Sequence, residues 1–126
     1  MQLRQWIPAV LVTAVALAGM ALMAKADSAS RGKDIFDHQC SKCHALDSDK
    51  EGPRLRGVYG RPAASIPSFS YSDALKNSHV TWDDASLDKW LTDPSSFVPD
   101  TYMAFHLSDA GSRKAVIDYL RTLSSK

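Results

Sequence analysis

The run Cys40-Ser41-Lys42-Cys43-His44 constrains this chain more than any other stretch of its length. Two thiols three positions apart, followed at once by an imidazole, form the C-x-x-C-H pattern of covalent c-type haem attachment. On one helical turn, thiols at i and i+3 lie on the same side and reach the two vinyl groups of one porphyrin edge. His44 is then placed to offer a ring nitrogen to the iron as proximal ligand. Other uses of paired cysteines fit less well. A thioredoxin-like redox pair needs a βαβ context, which is not legible here. A zinc site needs more ligands, and the chain has no third cysteine. A disulfide across three residues is strained and closes too short a loop to stabilise much.

The chain has 126 residues, with 15 basic against 14 acidic side chains. That balance excludes an acidic disordered tail and a nucleic-acid binder held by bulk positive charge. Arg4 is followed by no charged residue until Lys25, and residues 7–23 are almost wholly apolar. A basic start, an apolar run and Ala24-Lys25-Ala26 read as a secretory signal peptide cut after Ala26. The alternative is an uncleaved anchor, because residues 5–24 are uncharged and long enough to cross a bilayer once. Either way the remainder, residues 27–126, is expected to be exported as one small domain. Its thin core favours an added staple such as a covalent haem.

Within that domain the sequence predicts an all-α architecture of three to four helices with long loops. Ser30 is the expected cap of a first helix over residues 31–44, with Ile35, Phe36 and Cys40 near one face. Residues 45–70 are polar and rich in Gly and Pro, and a structureless stretch so long needs a ligand to wrap. A short helix is expected over residues 71–77. Thr81, with Asp84 three residues on, reads as a capping box for a helix carrying Leu87, Trp90 and Leu91, which stops before Pro94. Residues 95–107 read as irregular. Asp109 or Ser112 then caps a last helix that buries Val116, Ile117, Leu120 and Leu123.

For a sixth iron ligand the candidates in the domain are His38, His79, His106 and Met103. A lone methionine is ordinarily a core gap-filler. Met103, however, sits in an irregular Pro-containing segment where no helix stripe asks for it. A thioether is a soft ligand that raises the potential, whereas a second nitrogen would lower it. His106 is the second choice.

The flanking motifs extend the pattern: Gly32 and Phe36 before CSKCH, then Gly52-Pro53-Arg54-Leu55, Gly57-Val58-Tyr59-Gly60-Arg61 and Phe69-Ser70-Tyr71-Ser72-Asp73-Ala74. Thr81-Trp82, Leu91-Thr92-Asp93-Pro94, Val98-Pro99-Asp100-Thr101-Tyr102-Met103 and Tyr119-Leu120 follow in order. Through these the chain resembles the class I cytochromes c, the mitochondrial cytochrome c and bacterial cytochrome c2 group, from Gly32 to about Leu123. The resemblance implies one haem c bound through Cys40 and Cys43, with His44 and Met103 as axial ligands. It implies that the Pro53 carbonyl orients His44, and that Arg61, Tyr71 and Trp82 surround the propionates. Thr101 matches a propionate or ligand-loop position, and Phe105 an aromatic near the haem edge. Gly32 and Phe36 would meet Val116 and Tyr119 where the first and last helices cross.

The sequence departs from that family at four positions. Asp100 stands for a usual Gly and Tyr102 for a frequent Lys. Trp90 stands for a usual Tyr, removing a hydroxyl that could reach the methionine sulfur. Leu75 stands at a usually polar position. Trp90 and Leu75 are expected to make the surroundings more apolar and to disfavour ferric haem. Lysines are thin around the expected haem edge, with Lys33, Lys42 and Lys76 remaining, so docking to acidic partners should be weak. The function implied is a one-electron carrier, not an enzyme, working as a periplasmic monomer in a respiratory chain. Its partners would be redox proteins such as a bc-type complex, a terminal oxidase or a periplasmic dehydrogenase. A haem enzyme or gas sensor with a labile sixth ligand is the alternative.

Overall fold

The computed structural model describes residues 8–124. Arg4 and the start of the uncharged stretch lie outside the described residues. Five helices follow one another: α1 (Pro8–Gln39), α2 (Asp73–Lys76), α3 (Asp84–Thr92), α4 (Pro94–Phe97) and α5 (Ala110–Thr122), with a 3-10 turn at Cys40–Lys42 after α1. Among the described residues the only β pairing is an isolated antiparallel bridge between Pro62 and Thr81. The all-α expectation holds, with one helix more than the upper count.

Ser30 does not cap the first helix. It lies inside α1, which runs unbroken from Pro8. The Ala-rich stretch after Pro8 contains no further proline, and alanine is the strongest helix former. Nor does the helix reach His44. After Gln39 it tightens into the 3-10 turn, with Cys43 N–H bonded to the Cys40 carbonyl at 3.1 Å. Along α1, residues 14–27 are exposed and burial begins at Ser28 and Ala29. Among the described residues no helix is long and apolar enough to cross a membrane.

The first and last helices touch almost backbone to backbone. A Cβ built on Gly32 would overlap the Ala115 carbonyl and fall 2.9 Å from Tyr119 Cβ, so glycine is the residue that allows this approach. One turn on, the Phe36 and Tyr119 rings meet edge to face with centroids 5.6 Å apart. Val116 is 1 % exposed in the same seam. Ser28 adds a polar tie, donating to the buried Asp118 carboxylate at 2.7 Å.

Of the remaining expected caps, that of α3 differs from expectation, for a reason of tertiary structure, and that of α5 does not. Thr81 is engaged in the bridge to Pro62, so the cap of α3 falls to Asp83, whose carboxylate accepts from Ser86 N while Ser86 Oγ accepts from Asp83 N. As expected, α3 buries Leu87, Trp90 and Leu91, at about 1.5–3 kcal/mol for each fully buried large apolar side chain. Pro94 ends α3 and also opens a helix. It forces Asp93 into extended backbone, and Asp93 then caps α4 by accepting from Ser96 N, with Pro94 at its first turn. Residues 94–97, expected to be irregular in part, are therefore α4. Asp109, the first of the two expected caps, accepts from Ser112 N and starts α5. Between the 3-10 turn and α2 no described residue is helical. That long loop is pinned instead by Gly52 N–H to the Cys43 carbonyl at 2.8 Å and by Leu55 N–H to the Ala45 carbonyl at 3.0 Å.

Candidate functional site

The loop and the inward faces of α1, α3 and α5 enclose a cavity of about 470 Å³, in the ordinary range for a cofactor or small-molecule site. Every residue singled out for the site lines it: Cys40, Cys43, His44, Pro53, Arg61, Tyr71, Trp82, Thr101 and Met103. Phe105, Trp90 and Leu75 line it as well. The three other histidines do not. His38 is exposed and bonds the Asp34 carbonyl, His79 is exposed, and His106 bonds the Thr92 carbonyl at 3.2 Å. Of the expected sixth-ligand candidates, only Met103 is brought to the cavity.

His44 is fixed by two neighbours. Its Nδ1 lies 2.8 Å from the Pro53 carbonyl, which only accepts, so Nδ1 carries the proton and Nε2 keeps its lone pair. Burial lowers the His44 pKa against the opposing pull of that hydrogen bond, which favours the neutral, ligating imidazole. Gly52 is the second neighbour, a residue to which the sequence alone assigns no role. A Cβ at Gly52 would fall 2.6 Å from Nδ1 and 2.8 Å from Nε2 of His44. The ring lies against a backbone stripped of side chain. The Gly52-Pro53 pair carries the signal, but only the fold shows what the glycine makes room for.

The two thiols are unpaired with each other. Burial pushes Cys40 up to about 11, and Cys43 is also raised, first by its hydrogen bond to Glu51 at 3.4 Å. Both are therefore protonated at neutral pH, poor as thiolate metal ligands and slow as spontaneous nucleophiles. No cluster of three or more metal-ligating side chains of the zinc type occurs among the described residues. The polar part of the lining is held in place by the loop. The Arg61 guanidinium donates to the Arg54 carbonyl at 2.8 Å and the Arg56 carbonyl at 3.2 Å. Tyr71 is buried, which raises its pKa and keeps the hydroxyl neutral.

The opposite wall corrects one expectation. Trp90 does not deprive the methionine of a donor: its indole Nε1–H donates to Met103 Sδ at 3.1 Å. Asp100, the unusual residue in the segment presenting Met103, adopts φ 68°, a left-handed conformation that Asp tolerates better than most residues. It follows Pro99, and Thr101 N–H closes the turn onto the Val98 carbonyl at 3.3 Å.

A largely apolar lining, two free thiols on one turn, an oriented imidazole in a side-chain-free cradle and a soft thioether are a donor set that fits a covalently attached haem. The cytochrome c family model matches residues 29–124. Cytochrome c from Euglena viridis is 40 % identical over 98 residues, covering 75 % of this chain and 96 % of that protein. Cytochrome c2 from Rhodomicrobium vannielii is 39 % identical over 117 residues, covering 86 % of this chain and 93 % of that protein. Among solved structures, cytochrome cH from Methylobacterium extorquens superposes with a TM-score of 0.71 at 41 % identity, covering 75 % of this chain and 97 % of that one. The chain belongs to the cytochrome c family. It is a haem c electron carrier, with the cofactor attached covalently through its cysteines and with redox proteins as its partners.

Proposed function

We propose that this chain carries single electrons with His44 and Met103 as the two axial ligands and Cys40 and Cys43 as the thioether positions. When bound, haem c supplies reversible one-electron chemistry at iron. His44 offers Nε2 because Pro53 holds Nδ1. Met103 offers a thioether, the softer donor, which favours the reduced metal. Arg61, Tyr71, Trp82 and Thr101 provide a cation and neutral hydrogen-bonding groups for two propionates. Leu75, Leu87, Leu91 and Phe105 keep water from the cavity. Two protein ligands held in both oxidation states leave little to rearrange when an electron moves.

The single observation that carries this reading is that Met103, and none of the other histidines, shares the cavity with His44. A ferric optical spectrum of the purified holoprotein tests it. The weak sulfur-to-iron charge-transfer band should be present and disappear in Met103→Ala. A spectrum without that band, or ready binding of carbon monoxide at neutral pH, overturns it and favours a sensor or enzyme with an open sixth position.

Residues 1–26 are read as a leader removed during export to the periplasm. In support, α1 begins to pack against the domain only at Ser28, two residues past the proposed cut, while residues 14–27 touch solvent. Mass spectrometry of the mature protein distinguishes this from a domain tethered by residues 5–24. The reading as a monomer that works with a bc-type complex, a terminal oxidase or a periplasmic dehydrogenase belongs to the same proposal.

A further inference from the structure

We propose that Asp49 tunes the potential from one layer outside the cavity, as the positioning residue of Arg61. It pins and neutralises Arg54, which leaves Arg61 as the one uncompensated cation facing the cofactor. This rests on the haem c reading above. Arg61 is the only arginine or lysine lining the cavity among the described residues. Its guanidinium is held by two neutral groups, the Arg54 carbonyl at 2.8 Å and the Arg56 carbonyl at 3.2 Å. Among the described residues the carboxylates of Asp49 and Asp47 are paired with Arg54 and Arg56 instead.

Neither Asp49 nor Arg54 lines the cavity. The Asp49 carboxylate accepts from the Arg54 backbone N–H at 3.0 Å and from the Arg54 guanidinium at 3.4 Å. Ser68 closes the group, donating to Asp49 at 2.7 Å and accepting from Arg54 at 3.1 Å. Residue 54 thus has its N–H fixed on Asp49 and its carbonyl fixed on Arg61, so the carboxylate reaches Arg61 through one residue of backbone. The pair also acts through its charges. Burial holds the Arg61 pKa below its ordinary value; Arg54 adds to that, while Tyr71 and Asp49 oppose it. The two members of the pair therefore act on a nearby charge with opposite sign. A cation favours ferrous over ferric haem and raises the potential, and an anion lowers it. With the pair intact the two fields nearly cancel, and the charge of Arg61 remains. The Asp47–Arg56 pair stands behind the other carbonyl, but Asp47 bonds only the Arg56 guanidinium. Its side chain is 70 % exposed against 21 % for Asp49, so water screens it more.

Holoprotein of the wild type, Asp49→Asn, Arg54→Gln and the double variant tests this by voltammetry at low ionic strength. Asp49→Asn keeps an oxygen for the Arg54 N–H but unmasks the Arg54 charge, so the potential should rise. Arg54→Gln unmasks the Asp49 charge, so the potential should fall. The double variant should return close to the wild type, and added salt should shrink both single shifts. Shifts of the same sign in the two single variants overturn the proposal, because a merely structural pair would give them. Unmoved potentials overturn it as well. If Asp49→Asn does not hold haem, Arg54→Gln against Arg54→Lys decides: a fall in the first that the second lacks supports the proposal, and equal potentials overturn it. Failure of both Arg54 variants to hold haem makes the pair structural and overturns it too. The ferric sulfur-to-iron band is read in the same samples. A wild type without that band removes Met103 ligation, while the signs of the shifts still judge this proposal, which needs only haem in the cavity. A wild type that carries no haem overturns both readings together.

Discussion

A methyl group at position 52 would overlap the His44 imidazole, and the ring could yield only towards the cavity, away from the position in which Pro53 holds it. The His44 bond to Pro53 and the Gly52 bond to Cys43 lie within one short loop, so displacing the ring disturbs both. Gly52→Ala is therefore expected to lower the yield of ligated haem severalfold, while the Met103 side is untouched. The ratio of haem absorbance to protein mass checks this, and full haem content with an unchanged spectrum would refute it. Residue identity alone is enough to nominate His44, because C-x-x-C-H has so few uses. It is not enough for Gly52, since a glycine announces that something comes close without saying what. Trp90 shows the opposite failure: chemistry expected from the missing hydroxyl is supplied by the indole N–H, through a geometry no sequence displays.

At the scale of elements, the seam between α1 and α5 joins a steric fit at Gly32 to a charged tie at Asp118. The Asp118 carboxylate accepts from Ser28 at 2.7 Å, Lys114 at 2.6 Å and Arg121 at 3.0 Å. Burial pushes its pKa up, but the Lys114 and Ser28 hydrogen bonds, with the nearby cationic charges, outweigh it and hold the group below the usual carboxylate value. A carboxylate lowered by folding contributes stability above its unfolded pKa and loses it as pH falls through the folded one. Acid unfolding should therefore steepen below about pH 4, the unfolded carboxylate range. Asp118→Asn should cost about 1–3 kcal/mol at neutral pH and flatten that acid limb, as measured by urea denaturation at a series of pH values. An unchanged acid limb would show that the tie is not linked to folding. The periodicity of α5 is readable because one face is apolar. The misplaced starts of α1 and α3 have different causes. Ser30 and Thr81 are good caps by composition, but Ser30 lies within an unbroken helix and Thr81 is held in a bridge to Pro62, far back along the chain.

Across the whole molecule, two of the three lysines expected around the haem edge are ion-paired. Lys33 is paired with Asp37 at 2.5 Å and Lys76 with Asp73 at 2.9 Å. Asp47 and Asp49 are paired with Arg56 and Arg54. Tyr102, in the segment presenting Met103, is 78 % exposed where a lysine would have added charge. Exposed pairs cancel at distances beyond a Debye length, about 8 Å at physiological salt. Electron-transfer rates with an acidic redox partner should then fall no more than a few-fold between low and physiological ionic strength. Stopped-flow kinetics over a salt series checks this, and a decline of an order of magnitude or more would mean a concentrated positive field.

The sequence by itself determined the cofactor chemistry and the all-α class, because covalent attachment is written in adjacent residues and amphipathic helices in local spacing. Met103 as the proposed sixth ligand rests, in the sequence, on elimination and resemblance. Which side chains share the cavity, which glycine shelters the imidazole and which donor meets the sulfur were decided by the tertiary structure. Those relations join residues far apart along the chain, and their energies depend on distances of a few ångströms that exist only once the loop has closed around its site.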